Sequence, residues 1–204
     1  MLQLAARERA ALSRLLDIGC GAGRNAVPLA RAGWNVIATD LSLPMIMATA
    51  ARAAEGRVRD RLRVLLAPMD DLPFPSRCFD FIVAHGIWNL ARSGIEFRRA
   101  VQEAARVARP DAGMFLFTFS RSTLEETATP VADESFVFTQ FSGQPQCFLT
   151  SEQVISELGA VGFEPDTVLP LHELNKRPPG ALIAGSAPVI WEGLFRFVRH
   201  VRSG

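Results

Sequence analysis

Lysine is almost missing from this chain: Lys176 is the only one, and arginine carries nearly all of the positive charge. The 22 basic residues face 21 acidic ones, leaving a net charge of +1. That balance gives no global case for nucleic acid or for acidic partners. Cysteine is scarce too. Cys20, Cys78 and Cys147 are odd in number, scattered and without a Cys-x-x-Cys pair, so neither a disulfide framework nor a zinc site is indicated, and no metal is expected. No apolar run is long enough to span a bilayer. Arg7, Glu8 and Arg9 stand where a signal peptide would carry its apolar core. The chain therefore reads as cytoplasmic, with no membrane partner. Internal repeats and low-complexity tracts are absent.

What is present is enough for one sizeable core. A chain of 204 residues, 49% hydrophobic, suggests a single domain over 1–204. A short helix is expected within 1–13, over about 2–12. Strand and helix patterns then alternate: strand 14–20, helix 23–32, strand 34–40, helix 43–55, strand 62–67, strand 79–85, a helix near 93–108 and strand 113–119. Such alternation implies a parallel sheet with helices on both faces, an α/β doubly wound fold whose core spans 14–120. Residues 68–77 hold three prolines and predict a loop or a single turn. The segment 150–204 predicts a helix from Ser151 to Val161, opened by Thr150 or Ser151. Two extended pieces follow, 163–174 and 188–199, joined through Pro178, Pro179 and Gly180 and read as an antiparallel pair.

The most informative stretch is Arg14 to Asn25. Leu15, Leu16, Asp17 and Ile18 form a buried strand pattern that runs into Gly19-x-Gly21-x-Gly23. Glycines there allow the turn and let backbone N–H groups approach a ligand closely. The next strand ends on Asp40, which follows Gly21 by 19 residues. That separation brings a strand-end acid to the ribose hydroxyls of an adenosine and disfavours a 2′-phosphate. A nicotinamide site wants Gly-x-Gly-x-x-Gly; here the third glycine comes one residue early and Arg24 takes its place. Asp17, just before the loop, would repel a pyrophosphate and attract an ammonium. S-adenosylmethionine, with an ammonium, a sulfonium, a free ribose and no phosphate, suits the pattern better.

Leu15 to Asn25, Asp40-Leu41-Ser42, Asp71 to Pro75 before Cys78 to Val83, and Arg109 to Gly113 before Met114 to Phe117 occur in that order. Together they resemble the class I S-adenosylmethionine-dependent methyltransferases. The pattern is similar to a small-molecule branch that includes quinone-biosynthesis enzymes, and Gly23-Arg24-Asn25 resembles tellurite-resistance methyltransferases. The likeness runs from about Arg14 to Ser120. It implies a Rossmann-like, mostly parallel seven-stranded sheet completed by a reversed C-terminal hairpin. It also implies S-adenosylmethionine as cofactor, S-adenosylhomocysteine as product and a small-molecule acceptor.

Candidate residues follow from both readings. Cofactor binding is expected from Asp17, Gly19, Gly21, Gly23 and Asp40, with Cys20 offering its backbone alone. Leu41 and Met45 are implied by the resemblance to cover the adenine, though either could be ordinary core. Many relatives place an Asp four residues before the Leu of Leu-Pro-Phe to accept from the adenine amino group; that position is Pro68 here. Met69 could then offer its N–H and Asp70 a substitute carboxylate, unless Asp70 and Asp71 are solvated turn residues. His85, at the carboxyl end of the fourth strand, is the candidate base or a neighbour of the cofactor. Trp88 and Asn89 are expected at the same mouth. Asn/Asp-Pro-Pro-Tyr/Phe does not follow that strand, which argues against the branches that methylate amino groups of DNA and proteins. His172 and His200 are taken as structural.

Residues 121–149 form a long connection with Phe136, Phe138, Phe141 and Phe148 on a polar background. It is read as a lid with Phe138 and Phe141 over the acceptor; the alternative is a loop packed on the sheet edge. Arg57, Arg59, Arg61 and Arg63 read as a solvated strand entrance rather than a phosphate site. Only 13 residues precede the first strand, whereas relatives commonly carry extra N-terminal helices over the acceptor. If Met1 is the start, the pocket is left open or is completed by a second subunit in a homo-oligomer. The reading is therefore a methyltransferase acting by in-line displacement. Its rivals are a cofactor-binding protein without turnover and a nicotinamide-dependent reductase.

Overall fold

Near-continuous apolar strands must be covered on both faces, and this requirement sets the architecture. The computed structural model describes residue 5, residues 13–176 and residues 187–198. Five parallel strands come first: β1 (Arg14–Ile18), β2 (Asn35–Asp40), β3 (Leu62–Leu66), β4 (Phe79–His85) and β5 (Ala108–Phe119). They lie side by side in the order β3-β2-β1-β4-β5. One face of the sheet packs Leu15, Val36, Val83 and Phe115 with Ala26 and Leu29 of α1 (Ala26–Arg31). Ala53 of α2 (Leu43–Glu55) joins the same cluster. The opposite face packs Leu16, Ile82 and Met114 with Phe97, Val101 and Ala104 of α3 (Gly94–Val107). Alternation of side chains along each strand thus feeds two cores at once.

Residues 68–77 contain no helix, and side chains of α3 hold them instead. The Leu72 N–H donates to Glu103 at 2.8 Å, while Arg106 donates to the carbonyls of Phe74 and Leu72 at 2.6 and 2.9 Å. Arg106 also grips Glu103 at 2.7 Å and holds its carboxyl below the usual range. β5 begins at Ala108 rather than 113. A register shift against Phe79 and Phe81 accommodates the added residues, with Asp111 in the left-handed region at φ 63°. Gly113 is needed beside Phe81, whose ring an added Cβ would meet at 2.7 Å.

The connection over 121–149 is folded and packed. It holds a small antiparallel pair, β6 (Val137–Phe138) with β7 (Gln146–Cys147). Phe138 is 3% exposed and Phe148 is fully buried. Phe148 sits between Phe119 at 5.3 Å, Phe141 at 5.6 Å and Phe138 at 6.1 Å. The Arg121 guanidinium lies 4.9 Å over the Phe138 ring and donates to the carbonyls of Glu125 and Ala128. The expected lid is therefore replaced by packing: Phe138 is buried against Phe148, Phe148 against Phe119 of β5, and Phe136 against Phe97 of α3.

The C-terminal part opens with α4 (Ser151–Gly159), where Thr150 and Gln153 form a reciprocal capping box. β10 (Ile190–Phe197) runs antiparallel to β5 and carries two short partners, β8 (Phe163–Pro165) and β9 (His172–Leu174). The segment expected as one strand over 163–174 is thus broken in two. Pro165 ends one piece and Pro170 precedes the other, and each lacks an N–H for the ladder. The sheet consequently has eight strands rather than seven. Of the expected N-terminal helix only Ala5 is among the described residues, and the 178–180 connection and His200 lie outside them. Among the described residues no helix is long and apolar enough to cross a membrane. Phe138→Ala should destabilise the fold by roughly 3–5 kcal/mol, whereas the half-exposed Phe141 should cost far less on the same change. Urea unfolding of the two variants checks this, and a small loss at Phe138 would restore the lid.

Candidate functional site

The strands end along one edge, and the order reverses between β1 and β4, where a crevice opens in this kind of sheet. A cleft of about 740 Å³ lies there, within the usual size of ligand pockets. Its walls are Gly19 and Gly21 from the loop after β1, Asp40 to Ser42 after β2, Ala67 to Asp70 after β3, and Gly86, Ile87, Leu90, Arg92 and Glu96 after β4.

The glycine loop is fixed from below. The Gly21 N–H donates to Asp40 at 2.8 Å, and the Ser42 N–H donates to the other oxygen of the same carboxylate at 2.8 Å. Thr49 on α2 donates to the Gly21 carbonyl at 2.7 Å, and Arg52 donates to that of Ala22 at 3.1 Å. Gly19 has φ +67°, and an added Cβ would sit 2.4 Å from Ile87. Gly21 has φ +53° with open space where a side chain would stand. Its face toward the cleft is bare backbone.

Asp17 lies beneath this loop, 1% exposed, and neither carboxyl oxygen has a hydrogen-bond partner. Burial is the main reason its pKa rises to about 7. The nearby Ala26 N–H and Arg24 charge oppose that rise, the former without closing a hydrogen bond, and the Asp40 charge adds to it. A buried acid without a donor is unusual enough to need a reason. A cationic group placed at the loop would supply one.

Other expected residues are distributed less evenly. Leu41, Met69 and Asp70 line the cleft as anticipated positions. Met45 does not; it is 40% exposed on the outside of α2. Gly23 is buried against Thr49. Cys20 spends its N–H on the Thr39 carbonyl at 2.9 Å, so it offers the cleft no donor. Its thiol is pushed up to about 12, mainly by burial and then by the Asp17 charge. Trp88 turns into the core against Phe97 at 6.2 Å, and its indole nitrogen is unpartnered. Asn89 is buried below Gly86 with Oδ1 unpartnered. His85 stacks on Phe117 at 4.3 Å and meets Arg24 through Nδ1 at 3.3 Å. Burial and then the Arg24 charge hold its pKa below the ordinary value, against a pull from its own carbonyl. Phe138 and Phe141 contribute nothing to the cleft wall. Thr49, Ile87, Leu90, Arg92 and Glu96 went unnoticed in the sequence because nothing in a helix pattern marks which residue touches a loop.

An α/β sheet with a glycine loop, a paired strand-end acid and a cleft at the reversal point defines a domain built to hold an adenosine-type ligand. The chain belongs to the methyltransferase-domain family, whose model matches residues 16–117. It is 29% identical over 155 residues to a ubiquinone biosynthesis O-methyltransferase of Azorhizobium caulinodans, covering 74% of this chain and 58% of that protein. It is 31% identical over 117 residues to a demethylmenaquinone methyltransferase of Corynebacterium urealyticum, covering 57% of this chain and 46% of that protein. The chain spans about half the length of the curated relatives it matches. A crystal structure of a methyltransferase from Methanosarcina mazei shares the fold, with TM-score 0.74 at 19% identity over 97% of this chain and 98% of that one.

The raised Asp17 pKa has a consequence for the ligand-free protein. The unfolded carboxyl titrates near 3.8 and the folded one near 7. Between those values the folded state binds more proton, so stability falls as pH rises through this window. Asp17→Asn should therefore raise the unfolding free energy at pH 8 by roughly 2–4 kcal/mol and change it little near pH 4. Urea unfolding at both pH values checks this. An equal effect at the two would mean that the carboxyl carries no burden when ionised.

Proposed function

We propose that this chain binds S-adenosylmethionine at the edge cleft and moves its methyl group to a small-molecule acceptor. The observation that carries the reading is the buried, unpartnered Asp17 beneath a bare glycine loop, with Asp40 fixed alongside. An ammonium over the loop pairs with Asp17 and relieves the penalty of its ionised state. Asp40 uses one lone pair of each oxygen on the N–H groups of Gly21 and Ser42. The remaining lone pairs are free for two adjacent ribose hydroxyls. Leu41 and Met69 supply apolar walls for the adenine, and Asp70 an acceptor for its amino group.

When bound, the cofactor supplies a methyl group already activated by its sulfonium, so the protein's work is alignment and exclusion of water. Gly86 and Ile87 close the cleft at the β4 end, next to Gly19. In this reading the adenosine end lies toward Asp40 and the reacting end toward Gly86 and Ile87. The small-molecule acceptor, and an oligomer that covers it, belong to the same proposal.

Calorimetry with S-adenosylhomocysteine, S-adenosylmethionine and NADH tests the cofactor, and transfer of labelled methyl to an acceptor panel tests turnover. Tight binding without transfer would favour a cofactor-binding protein, and binding of NADH alone would favour a reductase. Asp40→Ala should weaken S-adenosylhomocysteine by about 1.5–3 kcal/mol, the size of a lost charge-assisted hydrogen bond. Unchanged affinity would remove Asp40 from the site.

A further inference from the structure

A second concavity lies at the other end of the sheet, where β1, β2 and β3 begin. It has a volume of about 330 Å³, and its walls include Arg14, Asn35, Ile37, Asp60, Arg61 and Arg63. Parallel register aligns these residues. Arg14 pairs with Asn35, Ile37 pairs with Arg63, and the Arg61 carbonyl accepts from the Val36 N–H at 2.7 Å. Alternation along the strands sends Arg14, Asn35, Arg61 and Arg63 to one face of the sheet, the face of Leu16 and Ile37. Neighbouring strands are about 4.8 Å apart, so the backbones at Arg14 and Arg61 are roughly 10 Å apart, within reach of one bound group. That face stays open, because β3 is the edge strand and the connection from β3 to β4 forms no helix over it. Of the four alternating arginines in this stretch, Arg57 and Arg59 are not part of the groove.

The charges in the groove are poorly matched. Arg61 has one carboxylate, Asp60 at 3.9 Å, with side chains 48% and 75% exposed, too solvated a pair to cancel much charge. The Arg14 guanidinium lies 5.5 Å over the Phe79 ring, which holds it in place without neutralising it. Asp80, beside Arg14, is already engaged by the Arg14 N–H at 2.8 Å and by Arg109 at 2.7 Å. Arg63 has no ion pair or hydrogen bond among the described residues. Three guanidinium groups and one carboxylate thus leave two positive charges unanswered. We propose that this groove is a second binding site, separate from the edge cleft, that takes the diphosphate or longer polyphosphate group of a small molecule. Guanidinium forks match phosphate oxygens in pairs, and Asn35 adds an amide donor between the strands that carry them. Ile37 gives the body of the ligand an apolar surface. A volume of this size admits a small molecule, and a chain with net charge +1 lacks the field that draws in a nucleic acid. The site stands independently of methyl transfer.

Calorimetry with sodium pyrophosphate at about 0.1 M salt tests the site. Pyrophosphate is expected to bind at least about tenfold tighter than inorganic phosphate. Excess S-adenosylhomocysteine should leave that affinity unchanged; competition would put the pyrophosphate in the edge cleft and overturn the second site. The double change Arg61→Gln with Arg63→Gln should weaken pyrophosphate at least about tenfold. The same variant should keep its urea midpoint, because both side chains are exposed. Absence of binding at millimolar pyrophosphate, or equal affinity in the double variant, overturns the proposal. Tighter binding of a single-stranded oligothymidylate than of pyrophosphate overturns the small-molecule class.

Discussion

The carboxylate of Asp40 holds the site together. It takes the N–H of Gly21 on one oxygen and that of Ser42 on the other. In doing so it ties the end of β2 to the loop that leaves β1, across two strands already in parallel register. The loop cannot relax without breaking a charge-assisted bond. Thr49 and Arg52 then hold the loop from α2, so the first two strand–helix units form one rigid crest. Everything on that edge is placed relative to it, including the glycines that leave backbone bare.

Asp17 shows what such rigidity is for. A protein selected for stability alone would not bury a carboxyl without a donor, since the uncompensated charge costs free energy. Burial here raises its pKa to about 7, so the carboxyl alone is partly protonated at neutral pH. Under the proposed function an ammonium reverses that penalty, and the energy it recovers becomes affinity for the cation. Ala26 begins α1 close by without closing a bond, and the Arg24 charge offsets only part of the burial.

Much of this crest was legible in the sequence, for physical reasons that do not extend to the rest. The Gly19 to Gly23 spacing and the separation to Asp40 are backbone constraints, and backbone constraints leave few residue choices. α2 matched its expected bounds, Leu43–Glu55, because Pro44 and Gly56 punctuate it. The region 121–149 misled because apolar residues on a long connection fit two structures equally well. Only the packing of Phe148 between Phe119 and Phe138 decides between them. The broken strand at 163–174 carried its own signal in Pro165 and Pro170, but a proline shows that a ladder is interrupted and not which neighbour resumes it. Long side chains that pin a loop, such as Arg106 over Leu72 and Phe74, left no periodic trace at all.

The order of the strands gives the cleft two different walls. β2 and β4 flank β1 on opposite sides, so the loops that follow them lie on opposite sides of the glycine turn. On the β2 side the wall is acidic and hydrogen-bonded, suited to hydroxyl groups that must be recognised and then left alone. On the β4 side the wall is Gly86, Ile87 and Leu90 together with the charged Arg92 and Glu96. The division follows from the sheet order: a strand inserted between β1 and β4 would separate the two walls and leave no single cleft between them.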